Sequence, residues 1–332
     1  MRPPSIVAKV PTECVIGVDL GGTNLLAGAL DADLRVLRRA RRTIAGLDLP
    51  SLLLTIADAV GELRAEIACG VEAVGFGIAG LIDDERAIAV SSVHLPIAGL
   101  AFADVMSERL GLPCCFDNDA NVALLAEHRR GAAIGERVAL MVTLGTGVGG
   151  AIMAGGELFR GARGGAGEFG HMIVDPDGPP CGPGCPSHGC LEAWTSGTAL
   201  AREARAAAQR DGAGALGRAL AQGREIDGPL VTQLARDGDE SALAVLRTLG
   251  EWLGVGLCSL VNIFNPDVVV IGGGVSGAGE LVLEPARRVL AGRALAAPAQ
   301  HVAIRAARFG DEAGMFGAAL LARESIERTV AA

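Results

Sequence analysis

The stretch VIGVDLGGTNLLAGAL, residues 15–30, decides the fold, because a later stretch of the chain repeats its layout. ALMVTLGTGVGGAIMA, residues 139–154, has the same order of an apolar strand, one polar residue, a Leu-Gly turn and a second apolar strand. The polar residues at the equivalent places are Asp19 and Thr143. Two such units about one domain's length apart predict a duplicated fold that faces one shared cleft.

The rest of the chain alternates between helical and strand-like apolar patterns, which predicts an α/β protein. Helices are predicted at residues 52–67, 102–110, 119–130, 197–223, 239–264 and 312–326. Strands are predicted at residues 71–80, 112–116, 267–274 and 301–309. We expect a small N-terminal α/β domain at residues 1–117, on which a C-terminal helix at 312–332 packs back. A larger α/β domain at residues 118–311 carries a cysteine-rich loop.

The composition is that of a folded protein, because half of the 332 residues are hydrophobic and a fifth are charged. The net charge is −9, and the longest basic run is RRARR at residues 38–42. We interpret this run as the solvated edge of a sheet. Nucleic-acid binding normally needs a basic face, so we predict no nucleic-acid partner.

Targeting and membrane signals are weak. The first 13 residues lack the continuous apolar core of a signal peptide. The uncharged stretch at residues 138–156 is interrupted by glycines, which favours two buried strands around a turn over a membrane span. We therefore predict a cytoplasmic protein with no membrane contact. Because cytoplasmic thiols stay reduced, the eight cysteines favour metal or core roles over a disulfide framework.

Three glycine turns follow apolar strands and could hold phosphate, since bare backbone N–H groups approach an anion closely. Neither repeated turn fits a P-loop, and each alone could be a plain tight turn. The third turn, GGGVSG at residues 272–277, formally matches G-x-G-x-x-G. It lacks an acid about 20 residues further on that would hold a ribose. We interpret it as a loop beside an adenosine.

The segment FDNDANVALLAE at residues 116–127 places acids and amides where a strand meets a helix. Asp119 could merely cap the helix. It could equally be the base that accepts a hydroxyl proton during phosphoryl transfer, with Asn118 binding a neighbouring hydroxyl. The residues leave both interpretations open.

The ordered motifs DLGGTN, IAGLID, DNDAN, LGTGVGG, GEFGH, GCLEAWTSG and VVVIGGG resemble those of the ROK sugar kinases, a group that contains many bacterial glucokinases. The resemblance covers about residues 15–317. It implies an actin-like ATPase fold, also called ribonuclease-H-like, in which two α/β domains around a central cleft close on ATP-Mg²⁺ and a sugar. It also implies a zinc-bound loop and a homodimer or homotetramer.

The resemblance assigns roles residue by residue. It implies that Asp119 is the catalytic base and that Asp19 positions Mg²⁺. The residues implied in holding the nucleotide are Gly21, Gly22, Thr23, Gly145, Thr146, Gly147, Gly272, Gly273 and Gly274. The residues implied in binding sugar hydroxyls, besides Asp119, are Asn118, Glu168, His171 and Glu192, with Gly80 and Leu81 nearby.

The segment GEFGHMIVDPDGPPCGPGCPSHGCLE at residues 167–192 departs from the family's cysteine pattern, with two extra residues between the first two cysteines. Tetrahedral zinc takes four nitrogen or sulfur ligands, which His171, Cys181, Cys185 and Cys190 can supply. One ring nitrogen of His171 would bind zinc and the other would face a sugar hydroxyl. His188 could replace His171, or zinc could have been lost.

A second departure is HLP at residues 94–96, where the family commonly has Asn-Leu-Pro. His94 either contacts the sugar differently or is a surface histidine. The leading hypothesis is ATP-dependent phosphorylation of glucose to glucose 6-phosphate, since carboxylates and an imidazole suit a neutral polyol. Mannose, fructose, N-acetylglucosamine and N-acetylmannosamine are alternative substrates, and polyphosphate or ADP are alternative donors. A sugar-sensing ROK regulator is the remaining alternative, although only 14 residues precede Val15.

Overall fold

A computed structural model describes residues 13–83 and 86–331 of the chain. The predictions about the first twelve residues concern a segment outside these described residues. The chain divides into two compact units. Unit 1 runs to Ala126 and resumes at Gly314, and unit 2 comprises Glu127–Ala313.

Unit 1 is built around a five-stranded sheet with the order β3-β2-β1-β4-β7. Its strands are β1 (Glu13–Leu20), β2 (Asn24–Asp31), β3 (Val36–Thr43), β4 (Gly70–Ile78) and β7 (Cys114–Asn118). A separate two-stranded sheet contains β5 (Leu81–Asp83) and β6 (Ile88–Ser91), and the helices are α1 (Leu49–Glu66), α2 (Phe102–Leu110) and the first turns of α3 (Asp119–Arg130). Alternate residues of β1 and β2 join α1 and α2 in one apolar core. This packing buries one face of the sheet.

Unit 2 repeats the arrangement, with the strand order β10-β9-β8-β11-β12. Its strands are β8 (Val138–Leu144), β9 (Val148–Ala154), β10 (Glu157–Leu158), β11 (Val268–Gly272) and β12 (Ala303–Ala306). Its helices are α4 (Leu191–Thr195), α5 (Gly197–Arg210), α6 (Ala215–Ala221), α7 (Gly228–Arg236), α8 (Glu240–Phe264), α9 (Glu280–Arg293) and α10 (Ala296–His301). The helices pack on the sheet in the unit's apolar core.

The duplication that the repeated stretches predict is confirmed by strand register. In each unit an antiparallel hairpin, β1–β2 or β8–β9, is extended by two parallel strands. Asp19 lies opposite Gly77 on the neighbouring parallel strand, and Thr143 lies opposite Gly272 in the same way. The two sheets therefore place Asp19 and Thr143 at equivalent positions.

Several predicted elements differ in detail. The predicted helix at 197–223 is two helices, because Asp211 accepts backbone hydrogen bonds from Ala213 and Gly214 and ends the first. The predicted strand at 301–309 is shorter, since its first residue ends α10. Helices α4, α7, α9 and α10 were not predicted.

Helix α11 (Ala313–Ala331) belongs almost entirely to unit 1. This helix packs closely on the sheet where the strands have glycines. A Cβ at Gly17 or Gly75 would overlap backbone oxygens of the helix. A Cβ at Gly317 would likewise overlap the Val122 backbone in α3. The division between the units falls inside α3, later than the expected boundary at 117/118, because the early turns of α3 pack in unit 1.

One pair of cysteines contradicts the expectation of reduced thiols, since Cys14 and Cys69 are joined by a disulfide with Cα atoms 6.0 Å apart. Strands β1 and β4 pair in parallel with Cys14 opposite Val71, which brings the two cysteines to the same end of the sheet. This pairing is long-range, so spacing along the chain did not reveal it. The remaining cysteines are free, namely Cys114, Cys115, Cys181, Cys185, Cys190 and Cys258.

The stretch at 138–156 forms the hairpin β8–β9, as expected, and not a membrane helix. Among the described residues, α8 alone is long and apolar enough to cross a bilayer, and 56% of its apolar window is buried in the protein. Its apolar residues belong to the core of unit 2. The run RRARR lies in β3, at the edge of its sheet, where Arg38 and Arg42 form ion pairs with acids of α1.

Candidate active site

The polar residues of unit 1 gather where its parallel strands end. Asp19 near the end of β1 is opposite Gly77 of β4, and Gly77 is opposite Asp117 of β7. Asn118 ends β7 and Asp119 begins α3. Because the carboxyl ends of parallel strands meet at one edge of a sheet, this edge is where an open α/β sheet binds its ligands.

The amino terminus of α3 is capped mainly by the Asn118 side chain. The Asn118 Oδ1 atom accepts hydrogen bonds from the backbone N–H groups of Ala120 and Asn121, at 2.9 and 3.2 Å. Its Nδ2 atom donates to the Gly80 carbonyl at 3.1 Å. This hydrogen bond connects two residues that the sequence predicts to lie at the sugar. The Asp119 carboxylate is half-buried and accepts from the adjacent Ala120 N–H at 2.9 Å. The capping of α3 therefore does not depend on Asp119 alone.

Asp19 lies against the start of α11. A Cβ built on Gly314 would be 2.5 Å from the Asp19 Cγ atom, which places the carboxylate within the first turn of this helix. The amino terminus of a helix carries partial positive charge and favours an anion there. Gly314 is thus a site residue that sequence reasoning missed, because it is distant along the chain from Asp19.

The first glycine turn is closed by its own backbone. The Gly21 N–H donates to the Asn24 carbonyl at 3.1 Å, and the Thr23 carbonyl accepts from Ile44 at 2.8 Å. The ring of His94 lies over the turn: a Cβ at Gly22 would be 2.9 Å from its Cγ and Cδ2 atoms. The turn therefore tolerates no side chain at Gly22 without moving His94.

The second turn is fastened to the amino terminus of α5. The Gly145 carbonyl accepts from the Gly197 N–H at 2.7 Å, and the Thr198 hydroxyl donates to the Thr146 carbonyl at 2.8 Å. The Gly145 N–H donates across the turn to Gly147 at 2.9 Å. A turn held in this way beside a helix amino terminus suits a phosphate group.

The third turn, Gly272 to Gly274, adjoins the second. Gly273 has a φ of +80°, and a Cβ there would be 2.6 Å from the backbone of Leu144, the residue before the second turn. The Ser276 hydroxyl also donates to the Gly273 carbonyl at 2.7 Å. The close approach of bare backbone explains why glycine occupies this position.

Glu192, near the start of α4, connects the second turn to the cysteine loop. Its Oε2 atom accepts from the Val148 N–H at 2.8 Å, and a Cβ at Gly147 would overlap this oxygen. Its Oε1 atom is 3.8 Å from the Cys181 Sγ atom. A residue predicted to bind sugar thus also touches the phosphate turn.

The cysteine loop places His171, Cys181, Cys185 and Cys190 with one ligand atom each within 4.8 Å of one another. The Cys181 Sγ atom is 3.5 Å from the His171 Nδ1 atom, and the Cys185 and Cys190 Sγ atoms are 3.9 Å apart. A tetrahedron with Zn–S bonds of about 2.3 Å has edges of about 3.8 Å, so these atoms fit zinc. His188 is not a member of this cluster.

The two ring nitrogens of His171 face different groups. Its Nδ1 atom faces the thiols, while its Nε2 atom is 3.9 Å from a carboxylate oxygen of Glu168. Burial raises the pKa of the Cys181 and Cys190 thiols, whereas a hydrogen bond from the Ser187 backbone lowers the pKa of Cys185. A bound cation would favour the thiolate form of all three.

A family model described as "ROK family" matches residues 15–325. The chain belongs to the ROK family. A glucokinase from Streptomyces coelicolor is 37% identical over 316 residues, covering 93% of this chain and 97% of that protein. A glucokinase from Thermotoga maritima is 32% identical, covering 96% and 99%.

Solved structures of the ROK family agree with this assignment. A ROK glucokinase from Streptomyces griseus in complex with glucose and AMPPNP is 38% identical, has a TM-score of 0.81 and covers 94% of this chain and 99% of that one. An N-acetylmannosamine kinase from Salmonella arizonae, 33% identical, and a ROK transcriptional regulator, 26% identical, are also similar to this chain. The family therefore contains more than one function.

The predicted residues are divided between the units. Unit 1 contains Asp19, Gly21, Gly22, Thr23, Gly80, Leu81, Asn118 and Asp119. Unit 2 contains Gly145, Thr146, Gly147, Glu168, His171, Cys181, Cys185, Cys190, Glu192, Gly272, Gly273 and Gly274. Within unit 1 the structure brings Asn118 to Gly80, and within unit 2 it brings Glu192 to Gly147. Thr198, which sequence reasoning missed, follows the motif GCLEAWTSG directly, so its nearness to a recognised motif was the available signal.

Proposed function

We propose that this ROK protein transfers the γ-phosphoryl group of ATP to the primary hydroxyl of a hexose, converting glucose to glucose 6-phosphate. The observation that carries the proposal is the position of Asp119 at the junction of β7 and α3, next to Asn118, whose side chain accepts from two backbone N–H groups of the first turn of this helix. The glucokinase relatives at 32–37% identity support the same reaction.

Asp119 acts as the general base in this proposal. Its carboxylate accepts the proton of the sugar hydroxyl as the oxygen attacks the γ-phosphorus in line. Asn118, held by Gly80, orients a neighbouring hydroxyl. Orientation matters because phosphoryl transfer depends mainly on positioning and on stabilising charge.

The nucleotide is held by the glycine turns. The N–H groups of Gly21 and Gly145 close their own turns. The N–H groups of Gly22 and Thr23 in the first turn, and of Thr146 and Gly147 in the second, donate to phosphate oxygens. The third turn lies beside the adenosine. Asp19 would hold Mg²⁺, since a carboxylate oxygen is the ligand that this cation prefers, and the cation when bound neutralises phosphate charge.

The sugar is a neutral polyol in this proposal. Glu168, Glu192 and the Nε2 side of His171 offer carboxylate acceptors and one imidazole donor, and each carboxylate can accept two hydroxyl hydrogen bonds. Glu192 also accepts from the backbone of the second turn, so its orientation is fixed before sugar arrives. A neutral sugar fits this set better than an acidic one.

We further propose that the four-residue cluster binds structural zinc. Three thiols and one imidazole nitrogen within 4.8 Å support this, because structural zinc sites have this ligand type and spacing. The loop that carries them is long and irregular, and a metal offsets the entropy lost on ordering it. Zinc would hold His171 and Cys190 next to Glu168 and Glu192, while the loop itself performs no chemistry.

The zinc proposal is tested by metal analysis of Cys185→Ser beside Cys114→Ser, a cysteine outside the cluster. We expect about one zinc per chain in the wild type and in Cys114→Ser, and little in Cys185→Ser. Equal zinc in all three proteins would contradict the proposal.

The reaction is tested by a coupled assay across hexoses and phosphoryl donors, with Asp119→Asn as the blank. The panel comprises glucose, mannose, fructose, N-acetylglucosamine and N-acetylmannosamine, each with ATP, ADP or polyphosphate. We expect the highest kcat/KM with glucose and ATP. A preference for another hexose or donor would reassign the substrate, and sugar-dependent DNA binding without turnover would favour a regulator.

Location and assembly are further proposals. A cytoplasmic enzyme that forms a homodimer or homotetramer, without nucleic acid or membrane contacts, fits the net charge of −9 and the family. The Cys14–Cys69 disulfide is unusual for that compartment. Sedimentation of the purified protein, with and without reductant, measures the assembly and its dependence on this bond.

A further inference from the structure

His94 follows β6 in a loop that is fixed next to the end of β4. The Ser92 hydroxyl donates to the Ala79 carbonyl at 2.6 Å and accepts from the Leu95 N–H at 3.1 Å. A Cβ at Gly80 would be 3.2 Å from the Ser92 Cβ atom, so the two segments run side by side. The loop is therefore attached beside the backbone proposed to contact the sugar.

The imidazole itself lies over the first glycine turn, where the nucleotide phosphates are proposed to bind. A Cβ at Gly22 would be 2.9 Å from both Cγ and Cδ2 of His94, which places the carbon edge of the ring against the turn. The side chain is exposed, and within residues 13–83 and 86–331 neither ring nitrogen hydrogen-bonds the protein. The carbon edge is packed and the nitrogens remain available to a ligand.

The negative charge of a phosphate group suggests what the two ring nitrogens of His94 would bind. The transferred phosphoryl group spreads negative charge over three oxygens, and positive or N–H donor groups are needed to stabilise it. The first turn offers Gly21, Gly22 and Thr23, which carry no charge, and Asp19 beside it is an acid. An imidazole N–H over Gly22 adds a second side-chain donor beside the Thr23 hydroxyl.

We propose that His94 donates a hydrogen bond from its imidazole to the γ-phosphoryl group of the nucleotide. The inference rests on the proposed kinase function and adds to it a residue that the family pattern does not assign. A phosphate oxygen is a better partner than a sugar hydroxyl, because the ring contacts Gly22 of the phosphate turn. The loop atoms nearest to a Cβ at Gly80 belong to the Ser91 backbone and to the Ser92 Cβ, whereas those nearest to a Cβ at Gly22 belong to His94.

The proposal is tested with His94→Ala and His94→Asn, and with His301→Ala as a control histidine exposed at the end of α10. Affinities for AMPPNP, ADP and glucose are measured by calorimetry, and kcat and the two KM values by a coupled assay. For His94→Ala we expect about tenfold weaker AMPPNP binding and kcat/KM for ATP reduced roughly 10- to 100-fold. ADP and glucose affinities should stay within about twofold of wild type, because neither ligand carries a γ-phosphate.

His94→Asn should recover most of the loss, since its amide keeps an N–H donor, and His301→Ala should match wild type. Unchanged AMPPNP affinity and ATP kinetics in His94→Ala would overturn the proposal. Equal weakening of AMPPNP and ADP, or weakened glucose binding alone, would also overturn it. If the wild type phosphorylates no sugar, the proposed function fails, and the AMPPNP-to-ADP comparison still decides the role of His94.

Discussion

The two repeated hairpins share a backbone and differ in what surrounds their turns. In unit 1 the turn after β1 lies beside the carboxylate of Asp19, the start of α11 and the ring of His94. In unit 2 the turn after β8 is held by the amino terminus of α5 and by the Glu192 carboxylate. The same strand–turn–strand unit therefore has different chemical groups around its turn in the two units.

This difference shows where the function of a duplicated fold is specified. The glycines and the register are kept in both copies, because any phosphate cradle needs bare backbone. Other groups beside the turns come from segments that are remote in sequence, such as His94 and the start of α11 in unit 1 and Glu192 of α4 in unit 2. In the proposed mechanism, unit 1 supplies the acid for magnesium and the base, and unit 2 supplies acceptors for the sugar.

The largest expected effect is that of Asp119→Asn, which removes the base from unit 1. We expect kcat to fall roughly 10³-fold, the scale of a lost general base, with the glucose affinity within a fewfold of wild type. The melting temperature should change little, because Asn118 provides the cap of α3. Steady-state kinetics, calorimetry and thermal unfolding measure the three quantities. Turnover near the wild-type value would remove Asp119 from the mechanism.

The equivalent polar residues Asp19 and Thr143 should respond unequally. Asp19→Asn removes a magnesium-holding charge and should lower kcat about 10²-fold at low magnesium. Thr143→Ala, at the same place in the second sheet, should cost less than about fivefold because no charge is lost. The comparison is made by measuring kcat of the wild type and of both variants over a range of magnesium concentrations. Similar losses in both variants would mean that the two copies do not divide the chemistry as described.

Glu192→Gln tests the link between the sugar and the second turn. The carboxylate accepts from the Val148 N–H, and losing its charge should weaken this bond and the sugar contacts. We expect the glucose KM to rise about tenfold and kcat to fall less. Glu203→Gln on α5, which is ion-paired to Arg202, is the matched control and should keep both values. A normal glucose KM in Glu192→Gln would argue against a sugar contact.

Gly314→Ala should give the smallest effect on activity. Its Cβ would be 2.5 Å from the Asp19 carboxylate, which must rotate away, so we expect kcat to fall about fivefold to tenfold. Gly61→Ala in α1 meets open space and should stabilise the protein by about 0.5–1 kcal/mol with normal activity. Kinetics and denaturant unfolding of both variants measure these changes. Full activity in Gly314→Ala would show that the position of Asp19 is not critical.

Much of the fold was predictable because its signals are local. Apolar periodicity gave α2 and α3 with their observed ends, and the repeated hairpins gave the duplicated sheets. The resemblance to ROK kinases supplied the roles that are proposed for Asp119 and for the turns. Local pattern and family motif together were sufficient for the architecture.

The remainder depends on contacts between distant segments, which periodicity does not encode. The Cys14–Cys69 disulfide requires the parallel pairing of β1 with β4, and the contact of Gly314 with Asp19 requires the return of α11 to unit 1. The choice of Asn118 over Asp119 as cap depends on side-chain rotamers. These features became visible only when the chain was folded.

The most direct measurement is a crystal structure of this protein with glucose and a non-hydrolysable ATP analogue. The account predicts that the sugar's primary hydroxyl lies about 3 Å from the Asp119 carboxylate and faces the γ-phosphate, which is contacted by both glycine turns. A ternary complex in which Asp119 contacts neither sugar nor phosphate, or in which only one turn contacts the nucleotide, would contradict it.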